Sequence, residues 1–194
     1  MTTTERIVES YYRLIKGCFT MADVKVMNGN NRQFDLLAYC LASAEQYHVE
    51  ISVMHGDWRN TVKDLSLDLD RKFFGDPASR GDIDKGKSFL KNIQATYESV
   101  GFKYEDVRRV WVCWTVKAIH KATQKDIQQM LDDCCKEHGL NPGTITVVSF
   151  RDEILKDLLE KVEGANYQDD ALRTLSLVQK FIEHQGELKT QEPA

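Results

Sequence analysis

Read for the spacing of its apolar positions, the chain switches repeatedly between a helical and an extended rhythm. Ile7, Val8, Tyr11, Leu14 and Ile15 recur three and four residues apart, which predicts a helix over 4–15. Thr2 followed by Glu5 has the spacing of a capping box at its start, and Gly17 fits its C-terminal stop. Phe19 to Met27 reads as a strand. Asn28-Gly29-Asn30-Asn31 reads as a turn, because Asn and Gly tolerate positive φ, and Gln33 to Ala42 as a second strand. Tyr47 to Met54 alternates cleanly. Tyr47, Val49, Ile51 and Val53 share one face; His48, Glu50 and Ser52 share the other. The three strands form an antiparallel meander.

Trp58 to Phe74 carries a helical stripe of Val62, Leu65, Leu69 and Phe73, and Gly75-Asp76-Pro77 breaks it. A long helix follows Gly81 and ends near Gly101, carried by Phe89, Leu90, Ile93 and Tyr97. Val107 to Val116 is β-branched and aromatic, hence a strand. Thr123 to His138 is a helix stopped by Gly139, and Thr144 to Phe150 is a continuous apolar run of the kind buried on both faces. Strand, helix and strand in that order predict a right-handed parallel crossover. Helices near Asp152 to Val162 and Asp170 to Gln185 complete the chain. The expected fold class is α/β: a mixed central β-sheet, an antiparallel three-strand meander plus a parallel crossover, flanked by helices.

At 194 residues the chain fits one domain. Residues 1–185 are expected to form it, with a helical insertion at 57–81, C-terminal helices within 151–185 and a flexible tail at 186–194. A net charge of −4 argues against a surface that clings to nucleic acid everywhere, though it permits a local basic groove. No apolar run approaches the roughly 20 residues of a membrane span, and MTTTERIVESYY lacks the basic and apolar parts of a secretory signal. A cytoplasmic protein with no membrane partner is expected. Cys18, Cys40, Cys113, Cys134 and Cys135 show no CxxC spacing and read as reduced thiols in small-hydrophobe roles, without a structural zinc site. Phosphate-loop, dinucleotide, nucleophile-elbow and HExxH motifs are missing, which removes the enzyme classes that depend on them.

The chemistry that remains lies in Arg32 to Val53. Asp35 and Glu50 interrupt two adjacent apolar strands, and a buried carboxylate is costly unless something pairs with it. Two of them on neighbouring strands can share a divalent cation. The alternation around Glu50 fits a solvated sheet face equally well. His48 shares that face and is read either as a phosphate or water contact or as a core histidine. Trp58 follows the third strand at the mouth of such a site, as a substrate contact. Trp111 and Trp114 point to opposite faces and suit core packing better than base stacking. Arg108 and Arg109 read as surface residues, and Asp64 to Asp70 as the wet face of a helix, since it lacks the glycine of a calcium loop.

The order of elements, with "FDLLA" at 34–38 and "YHVEISV" at 47–53, resembles the PD-(D/E)xK nuclease superfamily, the restriction-endonuclease-like fold. The resemblance covers roughly 4–150. It implies Asp35 and Glu50 as metal ligands, the Ile51 carbonyl facing the metal, Glu9 as a further acid on the first helix, and Mg²⁺ or Mn²⁺ as cofactor. The superfamily lysine, two residues after the glutamate, is Ser52 here. Members move this lysine to neighbouring elements, and Lys25, Lys72, Lys85 and Lys87 are the candidates. The implied activity is Mg²⁺-dependent endonucleolytic hydrolysis of DNA, with RNA as a second substrate class. The alternatives are a catalytically degenerate nuclease fold that binds nucleic acid or a protein, and an unrelated α/β protein. The stripe Leu172, Leu175, Val178, Phe181 and Ile182 could dock on the sheet or on a second copy, so a homodimer is compatible with the active and the degenerate nuclease alike.

Overall fold

The computed structural model describes residues 1–53, 62–75, 89–115, 124–162 and 167–190. Helix α1 (Thr3–Leu14) leads into strands β1 (Cys18–Lys25), β2 (Gln33–Cys40) and β3 (Glu45–Ser52). Helix α2 (Val62–Leu69) continues as a π-helical segment, Asp70–Phe74. Then come α3 (Leu90–Ser99), β4 (Val107–Cys113), α4 (Gln124–Glu137) and β5 (Ile145–Ser149). A second π-helical turn, Phe150–Leu155, opens into α5 (Lys156–Lys161), and α6 (Asp170–Thr190) follows.

Local signals account for several of these boundaries. Thr2 and Glu5 form the expected capping box: the Thr2 hydroxyl accepts from the Glu5 amide, and the Glu5 carboxylate accepts from the Thr2 amide at 2.6 Å. Asn28 and Asn30 take up positive φ in the β1–β2 turn. The strands lie in the order β1-β2-β3-β4-β5. The first three pair antiparallel, and β3–β4 and β4–β5 pair parallel, which is the expected mixed sheet.

Helices cover both faces. On one, Leu36, Ala38, Val49, Val110 and Val112 pack with residues of α1, α5 and α6, among them Val8, Leu158 and Leu172. On the other, Trp111, Cys113 and Ile145 meet Leu65, Leu69 and Phe73 of α2 and its π-helical extension, and Leu131 of α4. Beside them Phe34, Leu37 and Val107 pack with Ile93 and Tyr97 of α3. Trp111 and Trp114 join opposite cores, as their spacing predicts.

One irregularity positions everything that follows. Residues two apart in a flat strand share a face. Yet Ala22 and its partner Leu36 belong to the first core, while Val24 and its partner Phe34 belong to the third. Between them Asp23 has a φ of 54°, so both strands turn their faces over at this point. Asp35 lies on β2 within that break.

Several expectations are corrected. The described part of the segment read as an insertion is core, because Leu65, Leu69 and Phe73 are fully buried. Helix α6 runs to Thr190, past the predicted start of a flexible tail. Its apolar stripe divides: Leu172 and Leu175 are buried, and Val178, Phe181 and Ile182 are exposed. Cys18 and Cys40 face each other across β1 and β2 with their sulfurs in contact, an adjacency their sequence spacing did not predict. No helix among the described residues is long and apolar enough to cross a membrane.

Arg109 is the largest departure, since it is fully buried and not a surface residue. Its guanidinium donates to the carbonyls of Val107 (2.7 Å) and Tyr104 (3.0 Å) and lies over the Tyr104 ring at 4.5 Å. Arg108, in contrast, reaches solvent and pairs with Glu45 at 2.7 Å. Arg109→Ala removes charge-assisted hydrogen bonds and leaves two carbonyls behind. It is expected to cost about 3 kcal/mol in urea unfolding; a loss no larger than that of a surface substitution would refute this packing role.

Candidate functional site

The β2–β3 ladder pairs Leu36 with Val49 and goes no further towards the turn of β2. The Ile51 amide, next in line, donates instead to Asp35 Oδ2 at 2.8 Å. The carboxylate thus replaces a backbone acceptor where the two strands part, which fixes the Asp35 side chain at the mouth of the gap. Its pKa is pushed up to about 6, first by burial and then by the charge of Glu50, against the pull of Lys72 and the Ile51 amide. Asp35 and Glu50 are therefore electrostatic neighbours, as two carboxylates that could hold one cation must be.

Glu50 is 1% exposed and ionised. Burial alone would raise its pKa; the hydrogen bond from His48 and the Lys72 ammonium outweigh that and hold it below the ordinary carboxylate range. Oε1 accepts from His48 Nε2 at 2.8 Å, and Oε2 accepts from Lys72 Nζ at 2.6 Å. Burial keeps the His48 imidazole neutral against the pull of Glu50. Its Nε2 proton therefore faces Glu50, and Nδ1 accepts from the Tyr97 hydroxyl at 2.6 Å. Burial raises the Tyr97 phenol, which stays protonated for that bond. Lys72 loses from burial but gains more from Glu50 and then Asp35, and remains an ammonium.

Lys72 reaches Glu50 from the π-helical segment, a wider turn than the α-helix before it. A cleft of about 480 Å³ opens beside Asp35 and Lys72, and Arg71, Arg32, Asn30 and Asn31 also line it. Arg32 is held there by donating to the Arg71 carbonyl at 3.1 Å and by lying over the Phe89 ring at 4.5 Å. One carboxylate and three cationic side chains thus border the space, with Glu50 behind them. A phosphate and a cation-binding carboxylate could both be accommodated.

Of the residues singled out in the sequence, Asp35, Glu50 and Ile51 converge, and of the two candidate lysines among the described residues Lys72 joins them. Ser52 ends β3 opposite Cys113 of β4. Glu9 accepts from the Thr20 hydroxyl of β1 at 2.8 Å. The α1 acid whose charge acts on Asp35 is Glu5, one turn earlier. His48 is wholly buried with both ring nitrogens engaged, so it supports Glu50 and does not face a substrate. Lys25 is exposed at the end of β1. Trp58, Lys85 and Lys87 lie outside the described residues.

Arg32, Arg71 and Tyr97 were not anticipated. The basic pair Arg71-Lys72 closing an acidic helix was the one available signal for two of the cleft's cations. No family model, curated protein or solved structure matches the chain, so the site is read from its own geometry.

Removing Lys72 leaves a buried carboxylate with only His48 beside it. Lys72→Met is expected to destabilise the protein by about 3 kcal/mol. Adding Glu50→Gln should recover part of that loss; a double variant less stable than Lys72→Met alone would show that the pair is not what carries the effect. Asp35 offers a second check. Its folded pKa, about 6, lies above its ordinary value, so the folded state binds this proton more tightly than the unfolded chain does. Its contribution to stability is lost as pH rises from about 4 to about 6. Asp35→Asn should therefore be more stable than the parent above about pH 6, with the difference fading towards about pH 4 in urea titrations.

Proposed function

We propose that the chain is a metal-dependent nuclease of the PD-(D/E)xK kind, hydrolysing phosphodiester bonds in DNA, with the motif lysine supplied by Lys72. The observation that carries this reading is the 2.6 Å contact between Lys72 Nζ and Glu50 Oε2, which puts an ammonium beside the acid that Ser52 leaves without one. Asp35, Glu50 and the Ile51 carbonyl would be the metal's ligands, a hard oxygen set of the type Mg²⁺ and Mn²⁺ prefer. The mutual repulsion that raises Asp35 is also relieved by a cation between the two acids. A divalent cation held there supplies a water of lowered pKa and neutralises phosphate oxygen charge.

The chain's own groups do the rest. Arg32 and Arg71 hold phosphates at the cleft, which the net charge of −4 would otherwise repel. The Lys72 ammonium stabilises the negative charge that grows on the phosphoryl oxygens as water adds to phosphorus. One P–O ester bond breaks, and the leaving oxygen takes up a proton. His48, fixed by Tyr97, holds Glu50 ionised throughout.

A second reading has its own observation. Both Glu50 oxygens are already satisfied by His48 and Lys72, and the side chain is 1% exposed, which suits a site that has kept its packing and lost its chemistry. The experiment separates the two. Plasmid, linear and branched DNA, and RNA, are incubated with Mg²⁺, Mn²⁺ or EDTA. Metal-dependent cleavage is expected to fall by at least about 100-fold in Asp35→Ala and Lys72→Ala and to persist in Lys25→Ala. A thermal upshift with Mn²⁺ but no cleavage by the parent protein would establish the non-catalytic reading. Absence of both responses would reject the nuclease assignment.

A further inference from the structure

The π-helical segment that carries Lys72 begins with Asp70, and Asp70 faces away from the cleft described above, towards α4. Cys134 and His138 lie one turn apart there and project from the same side. Asp70 Oδ1 is 3.2 Å from His138 Nε2 and 3.6 Å from Cys134 Sγ, and the three donor atoms all lie within 4.8 Å of one another. In a tetrahedral site with bonds of about 2.0–2.3 Å, ligand atoms stand about 3.3–3.7 Å apart. Two edges of the triangle already have nearly that length. Phe74 stacks flat on the His138 ring, centroids 3.5 Å apart and planes within 7°, so the imidazole is held with Nε2 turned to Asp70.

We propose that Asp70, Cys134 and His138 bind a divalent cation of the zinc class, with a solvent molecule as fourth ligand. The donor set selects the metal: one thiolate, one imidazole and one carboxylate suit Zn²⁺ or Co²⁺, whereas Mg²⁺ asks for oxygen alone. Cys134 is buried, while the Asp70 and His138 side chains keep 20% and 17% of their exposure, so the fourth position opens to solvent on one side. The cation takes the place of the Cys134 thiol proton, which leaves for solvent, and no oxidation state changes. Without metal the same hydrogen bonds hold the thiol and the imidazole facing the Asp70 carboxyl group. The cation would convert that weak cluster into a clamp between the π-helical segment and α4. Because Asp70 and Lys72 share this five-residue segment, the clamp also braces the base from which Lys72 reaches Glu50. This site is separate from the one at Asp35 and Glu50, and its test does not depend on nuclease activity.

The full chain, stripped with a chelator, is titrated with Co²⁺ alone. The expected result is a near-ultraviolet thiolate-to-cobalt band that saturates at one equivalent, with the visible bands of a tetrahedral ion, both lost on adding Zn²⁺. Cys134→Ser removes the thiolate band, and His138→Gln and Asp70→Asn weaken cobalt binding by at least on the order of 10-fold. Cys135→Ala leaves the spectrum as in the parent. Zn²⁺ raises the melting temperature of the parent more than that of His138→Gln, a variant that keeps the buried thiol and guards against simple misfolding of Cys134→Ser. Absence of a thiolate band in the parent, or bands that survive both Cys134→Ser and His138→Gln, would overturn the proposal.

Discussion

Glu50 is a carboxylate placed where water does not reach, and the surrounding structure is arranged to keep it charged. A buried ion of this kind costs several kcal/mol unless partners replace its hydration. Here the replacement comes from two directions: a neutral imidazole from the same strand, oriented by Tyr97, and an ammonium from the π-helical segment after α2. Each partner is itself constrained. His48 is enclosed by Phe34, Phe73 and Tyr97, and the Lys72 segment is anchored by Phe73 and Phe74 in the core. The chain Tyr97–His48–Glu50–Lys72 therefore ties α3, β3 and the π-helical segment together through polar contacts that only work if all are made.

The same arrangement produces a polarised cleft. Asp35 stands at the point where β2 changes faces and leaves its partner strand, so its carboxylate can turn out of the sheet. Burial first, and then the charge of Glu50, push its pKa up. With Arg32, Arg71 and Lys72 around it, the cleft combines a cation-seeking acid with anion-seeking bases. Metal-assisted phosphate chemistry asks for that combination.

Much of the architecture was legible in the order of residues. The capping box at Thr2, the Asn-Gly-Asn turn, the meander and the parallel crossover follow from local periodicity and turn chemistry, and all are present. What escaped were features in which a residue's local pattern and its environment disagree. Arg109 reads as a charge beside a strand, yet aromatic rings and backbone carbonyls from 104 and 107 take it fully inside. Residues 57–81 read as a helical insertion, while Leu65, Leu69 and Phe73 within them complete the core over Trp111. Glu9 and Glu5 lie on the same helix, and only the approach of β1 decides which acid is engaged by Thr20 and which acts on Asp35.

The sequence by itself determined the class of fold and the pair of strand acids, because the period of apolar positions is a local property that any three or four neighbours express. Tertiary structure decided the rest. Lys72, 22 residues beyond Glu50, was one of four equivalent lysines until packing of the π-helical segment brought it within 2.6 Å. Asp70, Cys134 and His138 have no motif between them and meet only because α2 docks on α4. A contact between distant residues depends on how whole elements settle against a shared core, and no local pattern carries that information.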